Sequence, residues 1–366
     1  MKVRALFPAL AEATVRLDGP AGSQTPQPVL DAITGYLTTR NANMGAVFSH
    51  SLATAEVVAQ TRTKAARFLG ASSPEEVVFG LNATSLNLTL SRWATQALRP
   101  GDEVIVTTLD HDSNIAPWTQ AAEDLGLTVR TIGIGADTRL DLAALAAALS
   151  DRTRIVAFPY ANNGIGTAVD VAAVVELAHR AGALAWADLT HWAPHAPAQV
   201  AALGVDVAIC SAYKFFGPHV GLAYVRGGAA GRFEHGTLPF ESLAGLSAAL
   251  DYLDSVGWAA IAAHETQLGQ RFLDGIPEGW RLHGVPAMSE RTATFALSLP
   301  GHHPVSLAKA LAAQGIAAGA GRFHSGSVFD AIGLPDGALR IGFLHYNTAD
   351  EVDRVIGALK ALSGGK

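Results

Sequence analysis

Val205-Asp206-Val207-Ala208-Ile209-Cys210-Ser211-Ala212-Tyr213-Lys214-Phe215-Phe216-Gly217-Pro218 is the stretch on which the rest of the chain is read. Its apolar run lacks polar alternation, the pattern of a strand covered on both faces in a parallel sheet. Lys214 follows that strand and precedes two phenylalanines, where an ammonium is costly unless its pKa falls or it reacts. A desolvated lysine of this kind is what Schiff-base chemistry requires. A lysine snorkelling from a strand end is the other reading, and this segment alone divides the two evenly. The chain has only six lysines, and the other five (Lys2, Lys64, Lys309, Lys360 and Lys366) lie near termini or in amphipathic helical patterns.

Outward from Lys214 the same grammar repeats. Short β-rich runs at 77–79, 103–108, 129–134, 154–158, 183–187, 205–209 and 221–225 alternate with helical patterns at 85–98, 116–125, 140–150 and 171–181. That alternation predicts an α/β layer with a mainly parallel seven-stranded sheet sandwiched by helices. After Gly227-Gly228 the pattern changes to a long helical stretch at 241–273, alternating runs at 292–299 and 339–344, and a last helix from Ala349. The expectation is a large domain at 16–240 and a smaller α+β C-terminal domain at 241–366, joined by residues 1–15.

Composition narrows the class. The 366 residues are 49% hydrophobic and 16% charged, enough to bury large cores and to exclude wholesale disorder. One cysteine excludes a disulfide framework and any multi-cysteine metal cluster. A net charge of −6 argues against nucleic acid as a partner. Pro8 and Glu12 interrupt the N-terminal apolar residues, and no run approaches the roughly 18 that a membrane span needs. The expectation is a cytoplasmic protein with no membrane or nucleic-acid partner. Gly133-Ile134-Gly135 and Gly164-Ile165-Gly166 lack the third glycine of a dinucleotide loop, and no phosphate-binding Walker loop or G-x-S-x-G elbow occurs. His191 and His195 have the spacing of a zinc pair, but Pro194 between them favours polar loop histidines, and no metal site is expected.

Three further elements tip the reading of Lys214. Asp188 closes the apolar run 183–187, at a strand's carboxyl end, where open α/β sheets bind ligands. A carboxylate there can pair with a pyridinium nitrogen, although a strand-end Asp is also a common helix cap. Asn82-Ala83-Thr84-Ser85 joins a strand to a helix and offers N–H groups and hydroxyls to a phosphate, or simply caps the helix. His111 has a flat ring that can stack on an aromatic cofactor or remain a solvated loop residue.

Together these residues resemble the class V aminotransferase family of fold-type I pyridoxal phosphate enzymes, in its cysteine desulfurase-like branch. The likeness runs through Leu17-Asp18-Gly19-Pro20-Ala21-Gly22-Ser23-Gln24-Thr25-Pro26, Leu109-Asp110-His111-Asp112-Ser113-Asn114-Ile115-Ala116-Pro117-Trp118, Asn162-Asn163-Gly164-Ile165-Gly166-Thr167, the Lys214 segment and Arg340-Ile341-Gly342-Phe343-Leu344-His345-Tyr346-Asn347-Thr348. It implies that Lys214 carries pyridoxal 5'-phosphate and moves the substrate's Cα proton, that Asp188 holds the pyridine nitrogen, and that His111 stacks on the ring. By the same likeness His191 stands where the family often has a glutamine, and Asn82, Ala83, Thr84 and Ser211 bind phosphate. Tyr213 replaces a histidine common just before the lysine. Gly236-Thr237 resembles the pair that completes the neighbouring subunit's phosphate site, which implies a homodimer. Arg340 clamps the substrate carboxylate, assisted by Asn163, with Ala21 on the substrate side.

The shared chemistry of the resemblance runs through an external aldimine and a Cα carbanion on a small L-amino acid. Desulfurases of the family carry a mobile cysteine shortly before the carboxylate-binding arginine. The matching Gly319-Ala320-Gly321-Arg322-Phe323-His324-Ser325-Gly326-Ser327 has none, though His324 offers an acid or base there, or is a surface residue. The favoured expectation is a β-elimination or C–S lyase reaction without persulfide formation. Transamination, carbon–carbon bond formation and a catalytically silent binding protein are the alternatives. Substrate choice is expected to lie in loops such as 41–51.

Overall fold

The computed structural model describes residues 2–228 and 230–364. In chain order the strands are β1 (Val15–Arg16), β2 (Val77–Gly80), β3 (Glu103–Thr107), β4 (Thr128–Ile132), β5 (Thr153–Pro159), β6 (Leu184–Asp188), β7 (Val207–Ser211), β8 (Gly221–Val225), β9 (Arg281–His283), β10 (Thr294–Ser298), β11 (Ile316–Ala317), β12 (Gly319–Gly321) and β13 (Ala338–Gly342).

Seven of them form one sheet in the order β2-β8-β7-β6-β5-β3-β4. Neighbours from β7 through β4 are parallel, and β8 runs against both β7 and β2. Strands β3, β7 and β8 are buried along their whole length, which explains why their sequences do not alternate. Edge strand β4 does the opposite, turning Thr128, Arg130 and Thr131 to solvent and so blunting its open edge.

Helices Ala83–Ala94, Ala116–Leu125, Leu142–Ala148 and Val171–Arg180 cover the faces. Their starts follow from local chemistry. The Asn82 side chain accepts the Ser85 N–H in a capping box, and Asp141 and Asp170 cap the third and fourth. All seven expected strands are present. The run expected at 205–209 lies two residues later as β7, because the Val205 N–H is spent on the Val200 carbonyl. That shift puts Ser211 on the last rung, paired with Gly221.

A second sheet, β12-β13-β10-β9, is antiparallel throughout and packs its own core of Phe272, Phe295, Leu311, Ile341, Phe343 and Leu359. Strand β1 pairs with β11 and brings Val15 and Leu17 into that core. Phe7, by contrast, packs edge-on against Phe216 and Tyr252 of the large core. The helical stretch expected at 241–273 is two helices, Phe240–Val256 and Trp258–Gly275, hinged where Gly257 takes φ 82°. No helix among the described residues is long and apolar enough to cross a membrane.

Candidate active site

Strand β7 delivers Lys214 by ending abruptly. The Ala212 N–H returns to the Val220 carbonyl, a 3₁₀ turn spans Ala212–Lys214, and Phe216 takes φ 71°. Ser23 holds this loop from both sides. Its N–H and Oγ donate to the Tyr213 carbonyl, each at 3.0 Å, while Oγ accepts the Phe216 N–H at 2.7 Å. Lys214 Nζ donates to the Pro20 and Ala21 carbonyls at 2.6 and 3.0 Å. Burial first and the nearby Arg340 charge second, opposed by Asp188, together lower the ammonium's pKa to about 7.

Asp188 ends β6 on the same side of the sheet as Lys214. Its Oδ1 accepts the Thr190 N–H at 2.7 Å, and burial pushes the carboxyl's pKa up. Among the described residues it makes no ion pair and is tied to the chain only through Thr190. His111 stands beyond the end of β3. Its Nδ1 accepts the Ser113 N–H at 3.1 Å, which leaves the proton of the neutral ring on Nε2. Burial, with the His324 charge second, lowers this ring's pKa to about 4.

Beneath His111 lies a closed polar network. Asp110 Oδ2 accepts the Thr107 N–H and hydroxyl, its Oδ1 accepts from Asn114, and Asn87 links Asn114 to the Trp186 indole. Lys214, Asp188 and His111 face one cleft, with Ala83, Thr84, Asn163, His191, Ser211 and Tyr213 completing the lining. Ser211 Oγ accepts the Ala83 N–H at 2.8 Å, joining the end of β7 to the helix N-terminus.

Arg340 lies in the middle of β13, buried beside the cleft. Its Nη1 donates to the Asn163 carbonyl at 2.8 Å, and burial lowers its pKa to about 9. It makes no ion pair among the described residues. Asp188 and Arg340, each buried and without an ion pair among the described residues, thus both act on Lys214, with opposite sign.

The aminotransferase class-V family model matches residues 15–230 and 227–355. The chain belongs to the aminotransferase class-V family. It is similar to a cysteine desulfurase of Synechococcus elongatus (32% identical, covering 100% of this chain and 64% of that protein). It is similar as well to a probable cysteine desulfurase of Vibrio cholerae (33%, covering 98% and 96%). The chain thus spans under two thirds of the Synechococcus relative's length but nearly all of the Vibrio one. Among solved structures it resembles an apo cysteine desulfurase from Thermococcus onnurineus, with TM-score 0.95 and 25% identity over 100% of this chain and 98% of that one. An Escherichia coli cysteine desulfurase follows with TM-score 0.90 and 26% identity over 99% and 97%. Family membership and fold place the chain among the pyridoxal 5'-phosphate-dependent enzymes of fold-type I architecture.

Not every residue singled out from this class-V sequence meets in the cleft. Gly236 and Thr237 are exposed and do not line it; the segment is anchored by Glu234, which pairs with Arg62 at 2.7 Å and accepts the Phe79 N–H at 2.8 Å. The 41–51 loop does not line the cleft either, and its Val47 and Phe48 point to solvent. His191 and His195 lie in a turn after β6, as expected of loop histidines, but both are buried. His191 Nε2 lies 3.1 Å from Thr292 Oγ1, and His195 Nδ1 lies 2.6 Å from Glu265 Oε2 on the helix Trp258–Gly275. Among the described residues no cluster could hold a metal. The Asn163 side chain is engaged elsewhere, donating to the Phe323 carbonyl at 2.8 Å. Asn82 Oδ1 caps the helix, and Tyr213 stacks on His219 with ring centroids 5.1 Å apart.

Ser23, Thr190, Thr292, Phe323 and Glu265 escaped the sequence reading. Each acts through a contact tens to hundreds of residues away or through a backbone group, and neither leaves a local pattern.

Proposed function

We propose that this class-V enzyme catalyses β-elimination on a small L-amino acid bearing a sulfur leaving group, with no sulfur parked on a protein thiol. The single observation that carries the reading is the address of the chain's only cysteine. Cys210 is fully buried within β7, its thiol is pushed up by burial, and the loop beside Arg340 offers His324 instead.

The residues present fit pyridoxal 5'-phosphate. The buried Asp188 carboxyl lacks a cation, as a pyridine N–H would supply, and the Thr84 N–H at a helix N-terminus has no acceptor among the described residues. Bound there, the cofactor supplies an electron sink for the pair left on Cα. Lys214 holds and moves the Cα proton, since its nitrogen is partly neutral near pH 7. Asp188 keeps the ring nitrogen protonated. The neutral His111 ring covers one face and excludes water from it. Ala83, Thr84 and Ser211 orient the phosphate, with Asn82 fixing the helix start and Tyr213 bordering that end. Arg340 takes the substrate carboxylate in a bidentate grip. Asn163 serves that grip by holding the guanidinium through its carbonyl. The exposed Gly236-Thr237 turn suits a second subunit's phosphate site, the arrangement of a homodimer.

Incubating the purified, cofactor-loaded protein with β-substituted alanines tests the reading. Equal pyruvate and ammonia, undiminished in Cys210→Ala, is the expected result. Turnover that requires a keto-acid acceptor would mean transamination instead.

A further inference from the structure

Between β12 and β13, Phe323 and His324 take φ values of 54° and 55°. Two consecutive side-chain-bearing residues in the left-handed region are uncommon, and such turns persist only where the surroundings hold them. The hold here is explicit. The Asp112 N–H donates to the His324 carbonyl at 2.7 Å, Asn163 Nδ2 to the Phe323 carbonyl at 2.8 Å, and the Ser325 N–H to the Arg322 carbonyl at 2.9 Å. Ser325 Oγ closes the clasp by donating to Asn163 Oδ1.

The clasp packs Phe323 at the edge of the large core and leaves His324 facing solvent beside His111, which lines the cleft. The Phe323 ring lies over the Arg340 guanidinium, 3.8 Å from Cζ to the ring centre. The His324 ring stands 5.4 Å from the His111 ring, and its Nδ1 is 3.8 Å from the Asp112 carboxylate. With its side chain 79% exposed, His324 contributes nothing to packing that would explain a strained backbone.

We propose that this clasped turn presents His324 as the proton donor to the departing β-substituent. The proposal rests on the β-elimination reading above. Arg340 under Phe323 fixes the carboxylate end of the substrate, and His111 borders the cleft next to His324. His111 cannot do the job, because its Nδ1 already accepts the Ser113 N–H and burial keeps the ring neutral. The Asp112 carboxylate stands as the counter-charge of a protonated His324, and open solvent re-protonates the ring after each turnover.

The balance closes. Lys214 takes the Cα proton, the Cβ–S bond breaks with its electron pair going to sulfur, and the His324 proton converts the thiolate to a free thiol. With one water, the substrate becomes thiol, pyruvate and ammonium. The substrate class is therefore one whose leaving group needs a proton, such as an S-alkylcysteine. A β-halide leaves as a stable anion and needs no donor.

That difference supplies the test. His324→Asn suits the variant, since asparagine tolerates the left-handed backbone but has no comparable proton to give. Initial rates of pyruvate release are compared for S-methyl-L-cysteine and 3-chloro-L-alanine. The expected result is a loss of about 100-fold or more with the thioether and about threefold or less with the chloride. In cofactor-free protein, His324→Gly should raise Tm by about 2 °C as the strain is relieved. Equal losses on both substrates, unchanged thioether turnover, or a lowered Tm in His324→Gly would overturn the proposal while leaving the elimination reading intact. Wild-type protein that releases pyruvate from neither substrate would overturn both.

Discussion

Lys214 Nζ donates to the Pro20 carbonyl at 2.6 Å, so the N-terminal segment and the end of β7 meet at one nitrogen. The two carbonyls that hold the amine do not neutralise it. Burial, then Arg340, favours the uncharged form and brings the pKa from 10.5 to about 7. The fraction of free amine therefore rises with pH through 7 and levels off about a unit above. Competitive acetylation of cofactor-free protein, read by peptide mass spectrometry, should show Lys214 reacting with a midpoint near 7. A midpoint near 10 would mean an ordinary surface lysine.

Asp188→Asn keeps the size of the side chain and removes the charge. Because the wild-type carboxyl is buried with no ionic partner, the variant should fold at least as well and still take up cofactor. Turnover should fall by about 10²- to 10³-fold, the usual scale for removing a preorganised charge from a reacting centre. Pyruvate release and cofactor absorbance, measured on the same samples, separate the two effects.

Arg340→Gln should raise KM for amino-acid substrates about 100-fold with a smaller change in kcat. The guanidinium's grip on the carboxylate is the same before and during reaction. The same variant should be more stable without substrate by on the order of 1 kcal/mol, since it removes a buried charge with no counter-ion. Urea unfolding with and without a carboxylate ligand checks both halves.

Glu265 and His195 form a buried pair at 2.6 Å, linking the helix Trp258–Gly275 to the turn that carries His191. Breaking such a pair from one side strands the other group. Glu265→Ala should cost about 3–5 kcal/mol in urea unfolding, and Glu265→Gln, which keeps an acceptor, clearly less.

The large sheet was readable because burial on both faces forces unbroken apolar runs such as 207–210, and Asp141 and Asp170 punctuate its helices. Where backbone conformation overrode composition, the reading slipped. Gly257 at φ 82° divides one apparent helix into two, and nothing in an apolar run announces it. The cleft was legible where side chains follow strand ends, as Asp188, His111 and Lys214 do. It was not legible where carbonyls do the work, as at Pro20 and Asn163, nor where a distant helix supplies the partner, as Glu265 does for His195.

The claim on which all of this depends is that Lys214 is the residue that binds the cofactor covalently. Borohydride reduction of the pyridoxal 5'-phosphate-loaded protein, followed by peptide mapping, tests it most directly. The expected product is a pyridoxyl group on the peptide bearing Lys214, lost in Lys214→Ala together with the visible cofactor band. A label on any other lysine, or a band unchanged in Lys214→Ala, would contradict it.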